Sequence, residues 1–121
     1  MPALPILAKI AKEAGDKILS MQHDVIANES WEIKGDQSPV TIADKEANQI
    51  ICSRLKRHFP NIPIMSEENS KFPNKMASKA SEYFCTDPLD NTDGYKNGKD
   101  GFSVNIGRIK DGLPIDGVIY F

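Results

Sequence analysis

Along the first segment apolar residues recur at spacings of three and four: Leu4, Leu7, Ala8, Ala11, Gly15, Ile18 and Leu19. That period places them on one side of an amphipathic helix over residues 4–22, and Pro5 is tolerated in its first turn. From Gln22 to Gly35 the period is lost while Val25, Ile26, Trp31 and Ile33 keep the stretch partly apolar, which predicts a loop with an extended piece. A second helix starts at Thr41, whose hydroxyl can cap the free amides of the first turn, with Asp44 three residues on in a capping-box arrangement. Ala43, Ala47, Ile50, Ile51 and Leu55 supply its apolar stripe, and Pro60 ends it because proline cannot continue the hydrogen-bond ladder.

The pattern then shortens. Ile62 to Met65 is a brief apolar run that predicts a buried strand, followed at once by Ser66, Glu67 and Glu68. Residues 69–81 carry Asn, Ser and Lys without a period and predict a mobile connection. Glu82 to Thr86 is strand-like and runs into Asp87-Pro88-Leu89-Asp90-Asn91-Thr92-Asp93. Gly94, Gly98 and Gly101 predict a flexible loop. Phe102, Val104 and Ile106 then alternate with smaller or polar residues, Asp111-Gly112 marks a turn, and Ile115 to Phe121 is a second β segment, so the last third reads as a β-hairpin. The order helix, helix, strand, strand, hairpin predicts an α/β layered sandwich with two N-terminal helices on a mixed, mainly antiparallel sheet.

A length of 121 residues with 40% apolar and 26% charged residues fits one folded domain able to bury its own core. The 15 Lys and Arg against 17 Asp and Glu leave a net charge of −2, which supplies no broad basic field for a nucleic-acid polymer or an anionic membrane. An anionic ligand must therefore be held locally. Cys52 and Cys85 have no metal-binding spacing, no signal-peptide pattern occupies the first thirty residues, and no apolar run approaches the roughly 20 residues that span a bilayer. The expectation is a cytoplasmic chain without membrane insertion.

Candidate chemistry concentrates at Asp87, Asp90 and Asp93, spaced by three directly after an apolar strand. Carboxylates gathered together repel one another unless a cation neutralises them, and a hard divalent ion such as magnesium suits oxygen donors. Pro88 stiffens the turn so that both flanking carboxylates and the Leu89 carbonyl can converge. The same three aspartates equally fit a solvated turn, since Asp favours loops for its own backbone chemistry. Glu67 gains interest if the strand Ile62 to Met65 lies beside Glu82 to Thr86, because Glu67 and Asp87 then leave neighbouring strand ends. Asp44 fits a helix first turn, where the macrodipole favours an acid, or alternatively orients a hydroxyl such as that of Thr92. His23 and His58 read as surface residues. Ser38, Ser66 and Cys85 lack the setting of a covalent nucleophile.

Three segments, Asp36-Gln37-Ser38-Pro39-Val40-Thr41-Ile42-Ala43-Asp44, Pro63-Ile64-Met65-Ser66-Glu67-Glu68 and Asp87-Pro88-Leu89-Asp90-Asn91-Thr92, together resemble the ordered signatures of the inositol monophosphatase superfamily. Within it, Ser38-Pro39-Val40-Thr41 before Ala43-Asp44, the stretch Phe102 to Ile106 and Gly117-Val118-Ile119-Tyr120 look most like 3'(2'),5'-bisphosphate nucleotidases of the CysQ type. The resemblance implies a magnesium-dependent, lithium-sensitive phosphatase acting on adenosine 3',5'-bisphosphate, a by-product of sulfate assimilation. It implies that Glu67, Asp87 and the Leu89 carbonyl hold one magnesium and that Asp87 and Asp90 share a second. It further implies that Thr92, oriented by Asp44, acts with Glu67 on the attacking water, while the amides of Asn91 and Thr92 hold the phosphate.

Two departures from the family pattern stand out. Asn91 replaces the usual Gly after the second Asp, which Asn tolerates in left-handed backbone, with its side chain near the expected phosphate. The family continues past the position of Phe121 for about another domain, and that part carries a further aspartate in a Trp-Asp motif and most of the substrate pocket. The expectation is thus that residues 1–121 are a metal-binding N-terminal portion. An inositol- or sugar-monophosphate phosphatase of the same superfamily is the alternative, as is a truncated non-catalytic fragment that acts as a homo-oligomer or with a complementing C-terminal chain.

Overall fold

A computed structural model describes residues 3–28, 31–33, 39–66, 81–98 and 101–120. Helix α1 (Leu4–Asn28) buries Leu7, Ile10, Ala11, Ala14, Gly15, Ile18 and Val25. The helix reaches Asn28 rather than residue 22, because no proline or glycine interrupts Gln22 to Asn28 and Val25 repeats the buried face one heptad after Ile18. The buried stripe is also rotated from the predicted one. Ile10 and Ala14 lie inside, whereas Leu4, Ala8 and Leu19 are exposed.

Strand β1 (Trp31–Ile33) is the extended piece expected after the first helix, and it pairs antiparallel with β2 (Pro39–Thr41). Helix α2 (Ile42–His58) follows directly, with Ala43, Asp44, Ala47, Ile51 and Leu55 buried. Phe59 caps its end, donating its N–H to the Leu55 carbonyl at 2.8 Å, one residue before Pro60.

The main sheet contains β3 (Ile64–Ser66), β4 (Glu82–Asp90), β5 (Ser103–Lys110) and β6 (Leu113–Tyr120) in that spatial order. β3 and β4 are parallel, and the other two pairings are antiparallel. This is the mixed, mainly antiparallel sheet expected from the element order. The predicted turn joins β5 to β6, with Asp111 at φ 52° and Gly112 at φ 80°. Of the predicted connection over residues 69–81, only residue 81 is among the described residues.

Helices α1 and α2 pack against each other and on one face of the sheet, α1 over β5 and β6 and α2 over β3 and β4. Phe84, Val104 and Ile106 rise from the sheet to meet Leu7, Ile18, Ile51 and Leu55 in one continuous core. Phe59 stacks at a tilt on Phe84, with ring centroids 5.1 Å apart, and closes the core beneath the end of α2. Close approach of α1 to β6 depends on Gly15, since the ring of Tyr120 lies where a side chain would begin. No described helix is long and apolar enough to cross a membrane.

Candidate active site

Thr41 holds extended backbone at φ −103° and ψ 168°, and its Oγ1 accepts hydrogen bonds from the amides of Ala43 at 3.1 Å and Asp44 at 3.3 Å. Asp44 returns the contact. Its Oδ2 accepts from the Thr41 N–H and the Thr41 hydroxyl, each at 2.7 Å, which completes the capping box. Asp44 is only 1% exposed, so each bond it accepts forms away from bulk water. The second carboxylate oxygen, Oδ1, accepts the hydroxyl of Thr92 at 2.8 Å. The two readings of Asp44, helix cap and hydroxyl partner, therefore coexist on its two oxygens.

Strand β4 runs past Thr86 to Asp90 with a one-residue irregularity. Asp87 pairs with Asn105 and Asp90 with Ser103, so three steps along β4 match two along β5. Pro88 sits in the gap, where it has no N–H to give to the ladder. In a regular strand, residues three apart face opposite sides. The extra residue cancels that offset: Asp87 and Asp90 lie opposite Asn105 and Ser103, two residues that share a face and join through Asn105 Nδ2 to Ser103 Oγ at 3.1 Å. A bulge thus puts on one face two aspartates that regular pleating would place on opposite faces.

The turn after Asp90 is shaped by Asn91, whose backbone is left-handed at φ 64° and ψ 52°. Its side-chain oxygen accepts the Gly94 N–H at 3.2 Å and caps the short helix α3 (Thr92–Lys96). Its Nδ2 lies 3.4 Å from the Gly101 carbonyl. The expected flexible loop at Gly94 is therefore a helical turn. A Cβ on Gly94 would come within 2.6 Å of the Asn91 amide nitrogen, so that glycine supplies space for the cap. The Asn91 amide itself donates to Asp90 Oδ1 at 3.1 Å.

Thr92 Oγ1 also lies 3.2 Å from the Leu89 carbonyl. A hydroxyl has one hydrogen, and the shorter, charge-assisted bond to Asp44 takes it. Leu89 is buried, with its carbonyl at the turn between the two aspartates. One oxygen of Asp87, Oδ1, is also buried.

Glu67 lies outside the described residues. Its neighbour in sequence, Ser66, pairs with Thr86, the residue before Asp87, in the parallel β3–β4 ladder. The condition set for Glu67, adjacent and parallel strands, is met up to Ser66. Asp44, Leu89 and Thr92 meet through the Thr92 hydroxyl, Asp90 and Asn91 through the Asn91 amide, and Asp87 is placed by its strand register opposite Asn105. Asp93 does not join them, being paired with Lys96 at 3.5 Å on α3. Among the described residues no three His, Cys, Asp or Glu side chains form a metal-holding group, so Asp44, Asp87 and Asp90 do not by themselves make one. His23 and His58 are exposed.

A clamp behind the site has no counterpart in the sequence reading. Tyr95, fully buried, donates its hydroxyl to the Ile18 carbonyl of α1 at 2.5 Å, and Gln22 of α1 returns its side-chain N–H to the Tyr95 carbonyl at 3.0 Å. Burial, with a smaller push from the Asp44 charge, holds the Tyr95 phenol protonated well above its ordinary range. The ring meets Phe102 edge-on with centroids 5.1 Å apart. Helical spacing from Thr92 to Tyr95 is the one sequence signal that pointed there, and the glycines around it masked that signal.

Residues 2–121 match the inositol monophosphatase family. The chain is 38% identical over 117 residues to the 3'(2'),5'-bisphosphate nucleotidase CysQ of Buchnera aphidicola, covering 94% of this chain and 42% of that protein. Among solved structures it is similar to the extragenic suppressor protein SuhB of Bartonella henselae, with a TM-score of 0.84 and 27% identity over 96% of this chain and 43% of that one. It is also similar to CysQ of Bacteroides thetaiotaomicron, with a TM-score of 0.72 and 33% identity over 94% of this chain and 40% of that one. The chain spans less than half the length of the curated relatives it matches.

Proposed function

The chain belongs to the inositol monophosphatase family, and we propose that residues 1–121 form the N-terminal, metal-binding part of a magnesium-dependent phosphatase that releases the 3'-phosphate of adenosine 3',5'-bisphosphate to leave AMP. The observation that carries this reading is the 2.8 Å bond from the Thr92 hydroxyl to Asp44, set against a bulge that brings Asp87 and Asp90 to one face. Support for the nucleotide as substrate comes from the relatives named 3'(2'),5'-bisphosphate nucleotidase.

The donor set of the turn is made of oxygen: two carboxylates and the Leu89 carbonyl. Such hard donors fit magnesium, which takes a few carboxylates and completes its shell with water and phosphate oxygens. Glu67, Asp87 and the Leu89 carbonyl would hold one ion, and Asp87 with Asp90 a second. Bound there, magnesium would lower the pKa of a water and offset the charge of the phosphoryl group.

The residues of the chain supply the remaining steps. Because Asp44 takes the Thr92 hydrogen, the lone pairs of Thr92 Oγ1 remain to accept a hydrogen bond from the attacking water and fix its direction. Glu67 would accept the proton that this water loses. The amides of Asn91 and Thr92 would receive phosphate oxygens. At Asn91 the incoming oxygen would take the place now held by Asp90 Oδ1, so the amide passes from one anionic partner to another.

The test is magnesium-dependent phosphate release from adenosine 3',5'-bisphosphate and from inositol 1-phosphate, by this chain alone and with a complementing C-terminal chain, together with calorimetric titration of magnesium. Expected is weak magnesium binding by the chain alone, and nucleotide turnover on complementation that Asp87→Asn reduces by at least a hundredfold. Faster release from inositol 1-phosphate would shift the substrate to a sugar phosphate. Absence of both magnesium binding and turnover in the complemented protein would overturn the reading and leave a non-catalytic fragment.

A further inference from the structure

Helices α1 and α2 border a cavity of ≈ 460 Å³ at the end of α2 remote from Asp44. Arg57 lies thirteen residues beyond Asp44 on α2, roughly 20 Å at 1.5 Å per residue, so this hollow is separate from the turn that carries Asp87 and Asp90. Its volume falls within the range of small-molecule sites.

The lining divides by chemistry. Ile6 and Ile10 provide an apolar wall, while Lys9, Arg54, Arg57 and His58 provide donors. Glu13 is the one acid among the lining residues, and Arg54 Nε spends its charge on Glu13 Oε2 at 3.0 Å. Lys9 and Arg57 form no ion pair with another described residue. Lys9, Arg54 and Arg57 against Glu13 leave two net positive charges around the hollow. Basic residues in the last turn of α2, Lys56, Arg57 and His58, offset the negative end of the helix dipole. That accounts for neither Lys9, which comes from the other helix, nor an apolar wall between the cations.

We propose that this cavity binds a phosphate monoester with a flat, largely apolar body. The Arg57 guanidinium offers a planar fork to two phosphate oxygens and Lys9 a compact second charge, which together match a dianion. The body of the ligand would cover Pro5 and the exposed part of Ile6, removing apolar surface from water. The proposal does not depend on the reading of the catalytic turn, and its test is binding rather than turnover.

AMP joins a phosphate monoester to a flat base and serves as the probe, with adenosine and inorganic phosphate as partial ligands. In the isotopically labelled chain, followed residue by residue by NMR, AMP should give saturable shifts at Ile6, Lys9, Ile10, Arg57 and His58. Adenosine and inorganic phosphate should each bind at least tenfold more weakly. A Lys9→Gln/Arg57→Gln chain, with its fold checked by circular dichroism, should lose at least tenfold in AMP affinity. Glu13→Gln should tighten binding severalfold by removing the one lining acid. Shifts confined to residues 87–92, equal binding of inorganic phosphate or adenosine, or an unchanged affinity in the double variant would overturn the proposal.

Discussion

Asp44 holds Thr92 through one carboxylate oxygen at 2.8 Å while its other oxygen closes the start of helix α2, so one buried side chain joins two elements 48 residues apart in sequence. Hydrogen bonds to charged groups contribute about 1.5–3 kcal/mol each when the partner is otherwise buried. Thr92→Val and Asp44→Asn should each destabilise the chain, and the double variant should lose less than their sum. The expected coupling is about 1–2 kcal/mol from urea unfolding of the four proteins. A coupling within about 0.3 kcal/mol of zero would mean that the two residues are energetically independent.

At Asn91 the left-handed backbone and the cap make separate demands. Glycine satisfies the first without strain and loses the second, whereas alanine fails both. Asn91→Gly should change stability by a few tenths of a kcal/mol, and Asn91→Ala should cost about 1–2 kcal/mol. Thermal melts of the two variants make the comparison, and equal melting points would remove the left-handed conformation as a constraint.

Gly15 is predicted to be intolerant for a different reason. A Cβ there would stand 2.3 Å from Cδ2 and 2.5 Å from Cε2 of Tyr120, while the Tyr120 hydroxyl is held by Asp16 at 3.1 Å. The ring must swing outward or α1 must lift from β6. Gly15→Ala should lower stability by about 1–3 kcal/mol, the usual range for overpacking, and Tyr120→Ala in the same chain should recover part of the loss. Additive losses in the double variant would show that the ring is not the obstacle.

Tyr95 gives the fold an alkaline limit. In the unfolded chain its phenol ionises near 10, while burial keeps the folded phenol protonated above that value. Its contribution is fully present below about pH 10 and is lost as pH rises through the higher folded value. Tyr95→Phe should be less stable at neutral pH by about 1 kcal/mol, having lost the bond to the Ile18 carbonyl, yet its stability should fall less steeply above pH 10. Parallel slopes for the two proteins in urea unfolding between pH 9 and 11 would contradict this.

What could be read from the residues follows how local each determinant is. The Thr41–Asp44 capping box and the Asp111-Gly112 turn depend on side chains within four positions, and both stand where the pattern placed them. The adjacency of β3 and β4 stood only as a condition on two short apolar runs, and the parallel register supplies it. The end of α1 was not legible, because Val25 is buried by α1's packing rather than marked by a local stop or start. Helix α3 was hidden by chemistry. Gly94 suggests flexibility when read alone, but it is the small partner of the Asn91 cap, a relation visible only once Asn91 is known to be left-handed. The shared face of Asp87 and Asp90 needed the strand register as well, since spacing by three is compatible with a turn, a helix face or a bulge.

The clamp between α1 and Tyr95 also bears on how the chain folds during synthesis. Gln22 reaches its partner 73 residues later, Ile18 reaches the Tyr95 hydroxyl 77 residues later, and Asp16 meets the Tyr120 hydroxyl 104 residues later. A ribosome adding about 5–20 residues per second therefore presents α1 roughly 4–15 s before Tyr95 and 5–20 s before Tyr120. Through that interval α1 can pack on α2 but lacks Tyr95 and Tyr120, so the first helix to emerge is the last to be fully fastened.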